Sequence, residues 1–232
     1  MCSAYRKEPP MALLPSVACT HCLPQMISQP FQDLVQSLAA KTPTPGGGAA
    51  AAMAGCMGTS LFLMTVRFSQ GKKANVGRED DLAQAETGLQ GHLDRMMPMG
   101  ERDCQAYDMV SAAFRMPKES DDEKAARSAA IQESMVGAML IPEQTQNMIR
   151  DVFVTMERVC DCIGKSIASD LASGAALLLA GAEGAFLNVR INAAELKDRE
   201  LAEAAMTRAT AVRDDVRARQ DAIAAAVDRM LA

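Results

Sequence analysis

The sequence predicts an all-α fold, a helical bundle of long antiparallel helices, on three observations. Aromatic residues make up 3% of the 232, Trp is absent, and Met (17) and Ala are abundant. That composition suits packed helices better than a sheet sandwich, which draws on β-branched and aromatic residues. Second, apolar residues recur at helical spacing from Phe31 onward, and no stretch sustains strand-like alternation. Third, two long segments, Gly46–Val66 and Ser169–Asn192, are small and apolar, as the buried central helices of a bundle would be. The length gives one domain, or two small ones, with a sizeable core.

Charge and cysteine usage narrow the function classes. Lys and Arg number 24 against 29 Asp and Glu, a net charge of −5. A nucleic-acid binder would carry a basic stripe, so no nucleic-acid partner is expected. Seven scattered cysteines in a chain of this size point to free thiols in a reducing, cytoplasmic compartment.

Residues 1–27 form a flexible N-terminal extension in this reading, and 28–232 the helical domain. Pro9, Pro10, Pro15 and Pro24 leave no room for a stable helix before the domain. Arg6, Lys7 and the short apolar run after them imitate a secretory signal only faintly, and Pro15 breaks that run. Cys19 and Cys22 have the spacing of half a zinc site, but no second pair matches them, so no metal is expected.

Within the domain, Gly46–Val66 has no charged residue and is long enough to cross a bilayer. Its Ala and Gly content makes it weakly hydrophobic, so a buried helix of a soluble bundle is expected, with no membrane. Leu82, Ala85, Leu89, Leu93 and Met96 form one helical stripe, and Tyr107, Val110 and Phe114 lie on its projection. Pro98 should break or kink that helix. Pro117 and Pro142 are expected to mark helix starts. Ile149, Val152, Met156, Val159 and Ile163 form the next stripe. Ala205, Val212, Val216, Ile223, Val227 and Met230 form the last.

Polar residues on apolar faces are the candidates for chemistry. Asp103 falls on the first stripe if its helix continues past Pro98, with Tyr107 one turn later. If Pro98 resets the helix, Asp103 is a first-turn acid or an N-cap. Asp170 shares a helix face with Gly174, Gly181, Gly184, Asn188 and Asn192. Glycines there imply a close neighbour: another helix, a second subunit or a flat ligand. Asp170 and Asn188 lie about 27 Å apart along such a helix and cannot meet one reacting atom in a monomer. Pro45, Gly46, Gly47 and Gly48 open the uncharged helix and form a generic anion seat. Lys72 and Lys73 follow that helix as mobile cations. No nucleophile-and-base pair, metal triad or nucleotide-binding loop is present, so carboxylates and a lysine must supply any chemistry.

Taken in order, these motifs resemble a known family. Thr42-Pro43-Thr44-Pro45-Gly46-Gly47-Gly48-Ala49-Ala50-Ala51-Ala52 and Gly71-Lys72-Lys73 come first. Asp103-Cys104-Gln105-Ala106-Tyr107-Asp108, Met116-Pro117-Lys118 and the block from Glu123 to Glu133 follow. Ser169-Asp170, Leu187-Asn188-Val189-Arg190-Ile191-Asn192 and Leu196-Lys197-Asp198 complete the set. Over about residues 28–232 the chain resembles the formiminotransferase-cyclodeaminase C-terminal family, whose free-standing bacterial members include methenyltetrahydrofolate cyclohydrolases. Two departures stand out. Gly164-Lys165-Ser166-Ile167-Ala168 lacks the asparagines of the family's Gly-Asn-x-Asn loop, and Arg67-Phe68-Ser69 replaces an Asn-Leu-Thr.

The resemblance implies a homodimer. It implies hydrolysis of 5,10-methenyltetrahydrofolate to 10-formyltetrahydrofolate, with no cofactor beyond the folate substrate. Asp170 or Asp103 would be the acid–base group, and Lys72 would bind the substrate's tail or shuttle a proton. Pro45, Gly46, Gly47, Gly48, Lys73, Tyr107, Asn188 and Asn192 would line the folate site. The alternatives are a formiminotetrahydrofolate cyclodeaminase releasing ammonia and a non-catalytic folate-binding helical protein.

Overall fold

A computed structural model of the chain describes residues 28–232. The expectations for residues 1–27 lie outside the described residues. Seven α-helices follow in order: α1 (Phe31–Ala39), α2 (Gly47–Ser69), α3 (Glu79–Met96), α4 (Met99–Phe114), α5 (Asp121–Glu157), α6 (Ala168–Ala194) and α7 (Arg199–Leu231). Among the described residues there is no strand, as the composition predicts.

The two apolar segments become α2 and α6, and their pairing is the most extensive in the bundle. They run antiparallel: Gly47 faces Asn188, Ala51 faces Gly184, and Gly58 faces Gly174. A Cβ on Gly58 would lie 2.6 Å from Leu178 Cγ, and one on Gly181 would lie 2.8 Å from the Ala51 carbonyl. The glycine face of α6 is therefore covered by α2 of the same chain, the first of the three neighbours the sequence leaves open. Both helices are long and apolar enough to cross a membrane by length and composition. About half of each is buried within the bundle.

The main core fills the space between α2, α3, α5, α6 and the C-terminal half of α7. Phe62 and Phe153 meet edge to face there at 5.8 Å, among Leu89, Met96, Ile149, Leu178 and Val216. A second core joins α4, α5 and the C-terminal part of α6 to the start of α7 through Val110, Met139, Phe186 and Ala205. The stripes on α3, α5 and α7 are buried as expected, apart from Leu93 and Met230, which are half-buried; Val159 and Ile163 are buried too, but they lie past the end of α5 at Glu157 and not on its helix.

Three expectations need correction. The α3 stripe does not run on past Pro98. α4 restarts at Met99 in a new phase, so Val110 is buried while Tyr107 and Phe114 stay exposed. Pro117 lies in the turn before α5, which Ser120 opens with a reciprocal capping box to Glu123. Pro142 does not start a helix but lies inside α5. Proline there cannot donate to the carbonyl four residues back, that of Ala138. Asn192 Nδ2 from α6 donates to that oxygen instead, at 2.9 Å, and α5 continues unbroken.

Candidate functional site

The predicted site residues fall at two ends of the α2–α6 pair. At the N-terminus of α2 stand Pro45, Gly46, Gly47 and Gly48, with Asp103 and Tyr107 from α4 and Asn188 from α6. At its C-terminus, Gly71 turns the chain with φ 66°, and Lys72 and Lys73 follow, exposed. Asp170 lies in the first turn of α6, half-buried, and Ile167 rather than Ser169 or Asp170 holds the N-cap position. About 31 Å of helix separates Gly48 from Ser69, and about 27 Å separates Asp170 from Asn188.

The geometry is most specific at the Asp103 end. α4 starts afresh after Pro98, and its phase turns Asp103 inward onto α2. A Cβ on Gly48 would lie 2.1 Å from Asp103 Oδ1, so only glycine admits the carboxylate. The Ala49 N–H lies close enough to that carboxylate to favour its ionised form. The free N–H groups and the dipole of α2 thus meet an anion the chain itself supplies. The glycine-rich turn seats Asp103, and not simply an outside ligand as its sequence suggests.

Two effects set the protonation of Asp103. Burial raises its pKa above the ordinary carboxylate range, and the Ala49 N–H pulls it back. Burial is the larger of the two, which moves the group toward a useful proton acceptor. The neighbouring Cys104 thiol is pushed up to about 11 by its own burial and is unreactive at neutral pH.

Asn188 packs on Gly47, its Nδ2 3.2 Å from where a Cβ would stand, and donates to the Gly184 carbonyl at 2.8 Å. Its oxygen remains to accept from a ligand. Asn192 is held by its bond to Ala138 and orders α5 against α6. Tyr107 is 41% exposed, one turn beyond Asp103 on α4. Among the described residues no group of His, Cys, Asp and Glu side chains is arranged to hold a metal ion.

The family model described as formiminotransferase-cyclodeaminase matches residues 30–211. The chain belongs to this family. A methenyltetrahydrofolate cyclohydrolase from Methylorubrum extorquens is 36% identical over 176 residues, 76% of this chain and 85% of that protein. A formimidoyltransferase-cyclodeaminase from Gallus gallus is 25% identical over 173 residues, 75% of this chain but 32% of its own length. In fold, this family member resembles the crystal structure of a formiminotetrahydrofolate cyclodeaminase from Thermotoga maritima. The TM-score is 0.72 at 22% identity, covering 88% of this chain and 96% of that one. The all-α architecture expected from composition and period is thus a family property.

The sequence singled out Gly48 and Asp103 separately, but not their contact. Stripe phase cannot be carried across a proline break, so the partner of Asp103 was not readable. The bond from Asn192 to Ala138 had a signal: a proline within a helical pattern frees the carbonyl four residues back.

Proposed function

We propose that the chain is a cytoplasmic, homodimeric enzyme that hydrolyses 5,10-methenyltetrahydrofolate to 10-formyltetrahydrofolate. The observation that carries this reading is Asp103, a carboxylate with a burial-raised pKa seated on a helix N-terminus beside Asn188. The similarity to the Methylorubrum cyclohydrolase supports the choice of reaction.

The chemistry needs one proton acceptor. The substrate's bridging carbon is part of a cationic amidine-like group. Water adds to that carbon and Asp103 takes one of its protons. In the tetrahedral adduct the bond from carbon to N5 then breaks, and Asp103 returns its proton to N5. The hydroxyl proton leaves to solvent as the formyl carbonyl forms, so one proton is released per turnover. While ionised, Asp103 also balances the substrate cation. The Asn188 oxygen accepts a hydrogen bond from the bound folate, and Gly46 and Gly47 let it approach the helix end. Lys72 and Lys73 are cations suited to a glutamate tail. The reaction requires no metal and no cofactor beyond the folate, and neither nucleic acid nor membrane takes part.

The vertebrate relatives and the Thermotoga protein carry cyclodeaminase names, which favours ammonia release from formiminotetrahydrofolate as the second reading. Both reactions pass through the same carbon. Incubating the protein separately with each folate separates them. Faster loss of 5,10-methenyltetrahydrofolate supports hydrolysis. Ammonia release without that acceleration supports deamination. Folate binding with neither reaction contradicts both.

A further inference from the structure

We propose that the groove between α6 and α7 binds a small anion, a carboxylate or a phosphate carried on a compact apolar body, with Arg190 and Arg199 as its binding groups. The site lies apart from Asp103 and does not depend on which folate reaction the protein performs.

The sequence builds a concavity there by setting short side chains between long ones. α6 and α7 run antiparallel, with Glu183 paired to Arg217 at 2.5 Å and Arg213 lying over Phe186. Further along, toward the connection between the two helices, α6 presents Ala193 and Ala194 and α7 presents Ala202. Alanines on facing turns do not fill the space that Arg190, Arg199 and Met206 wall off. A concavity of about 210 Å³ remains. That is the liquid volume of about seven waters, the size of a small ligand and not of a drug-sized one. Its floor is apolar: Ala193 and Ala202 are buried, and Met206 is half-buried.

The two guanidinium groups are placed in advance and left without an acid. Arg199 Nη1 donates to the carbonyls of Ala194 and Leu196, at 3.5 and 3.3 Å, at the C-terminal end of α6. The hydrogens on its Nη2 and Nε remain for a ligand. Arg190 makes no hydrogen bond among the described residues, and its guanidinium carbon lies 6.0 Å from the Phe186 ring centre. Arg213 lies 4.3 Å from the same centre, so two cations share one ring. Arg213 has a carboxylate partner, Asp214 at 3.0 Å. Arg190 and Arg199 have none among the described residues, and Glu203, the one acid of the lining, pairs with neither. A guanidinium is a planar fork of donors that matches carboxylate and phosphate oxygens and stays charged at every working pH. Two such forks above an uncharged floor fit an anion with an apolar side.

Helix phase keeps this groove away from the folate site. Arg190 is two residues beyond Asn188, about 200° further round α6. Asn188 packs on Gly47 of α2, whereas Arg190 lines the groove with α7.

Benzoate, phenyl phosphate and inorganic phosphate test this on the whole protein, by calorimetry at constant ionic strength. At least one of the two organic anions should bind with a Kd of about 1 mM or below, and inorganic phosphate at least about threefold more weakly. The tighter organic anion tells whether the site prefers a carboxylate or a phosphate. Arg190→Gln removes no hydrogen bond of the fold, so its thermal melt should match wild type while binding weakens at least about fivefold. Glu203→Gln removes the negative charge of the lining and should tighten binding about twofold. Labelled methionine methyl groups locate the anion. The Met206 resonance should shift, and that of Met53, which packs beside Ala49 and Cys104 near Asp103, should not. Any one of four results overturns the proposal: no binding of either organic anion at about 10 mM, inorganic phosphate binding as tightly as phenyl phosphate, binding unchanged in Arg190→Gln or weakened in Glu203→Gln, or a shift at Met53 in place of Met206.

Discussion

Asn192 Nδ2 donates at 2.9 Å to the carbonyl of Ala138, the one backbone acceptor of α5 that Pro142 leaves without its helical donor. The three residues form one device. A proline relieves α5 of a hydrogen bond, and α6 supplies the replacement. An unpaired buried acceptor costs about 1–3 kcal/mol. Asn192→Ala should therefore destabilise the protein by about that much in denaturant unfolding. In a Pro142→Ala background, the backbone N–H gained at that position can donate to the Ala138 carbonyl. The same Asn192 change should then cost less than about 1 kcal/mol. Equal costs in both backgrounds would mean that Asn192 stabilises by other contacts.

The glycines of the α2–α6 contact differ sharply from those elsewhere. Gly58→Ala brings a Cβ within 2.7 Å of the Gly174 carbonyl and 2.6 Å of Leu178 Cγ. Backbone cannot yield there cheaply, so a loss of about 1–3 kcal/mol is expected. Gly137, within α5, has nothing within 4 Å of a built Cβ. Gly137→Ala should instead stabilise by about 0.5–1 kcal/mol, through helix propensity. Thermal melts of the two variants, moving in opposite directions, check both statements.

Much of the fold was legible in the sequence, for reasons these residues illustrate. Amphipathic period placed the core on Leu82–Leu89, Ile149–Met156 and Val212–Val227, because one side of each helix must leave water. Small residues marked α2 and α6 as closely packed helices without naming the partner of either. What could not be read was phase across a break and continuity through Pro142. Both depend on tertiary partners: α4 on the glycine turn of α2, and α5 on Asn192. The candidate site was legible as a set of residues but not as a place, since no spacing rule says that Asp103 sits on Gly48 while Lys72 stands at the far end of α2.

Glu143 and Arg208 form a two-pronged ion pair between α5 and α7, at 2.6 and 3.2 Å, with the Glu143 side chain 9% exposed. Arg208→Ala leaves that carboxylate buried and unpaired. A loss of about 3–5 kcal/mol is the usual size for breaking such a pair, and the exposed arginine puts this one near the lower end. Glu143→Gln combined with Arg208→Ala should recover part of it, read from denaturant midpoints.

Asp103 should couple stability to pH in the opposite sense to an ordinary salt-bridged acid. Its folded-state pKa is raised by burial, so the folded protein holds its proton more tightly than the unfolded chain does. Its stabilising contribution is present below the unfolded aspartate pKa and is lost as pH rises through the raised folded value. The stability of wild type relative to Asp103→Asn should therefore fall as pH rises from acid toward neutrality. Paired thermal melts across that range test it, and a difference that grows with pH would contradict the burial account.

The central claim is that the carboxylate seated on Gly48 is the acid–base group of methenyltetrahydrofolate hydrolysis. The most direct measurement is the turnover of 5,10-methenyltetrahydrofolate by wild type and by Asp103→Asn, with folding of both verified by their melts. Asparagine keeps the shape, but it cannot take a proton from water. The account predicts a fall in kcat of about 10²-fold or more in a fully folded variant. Wild-type turnover in Asp103→Asn would contradict it.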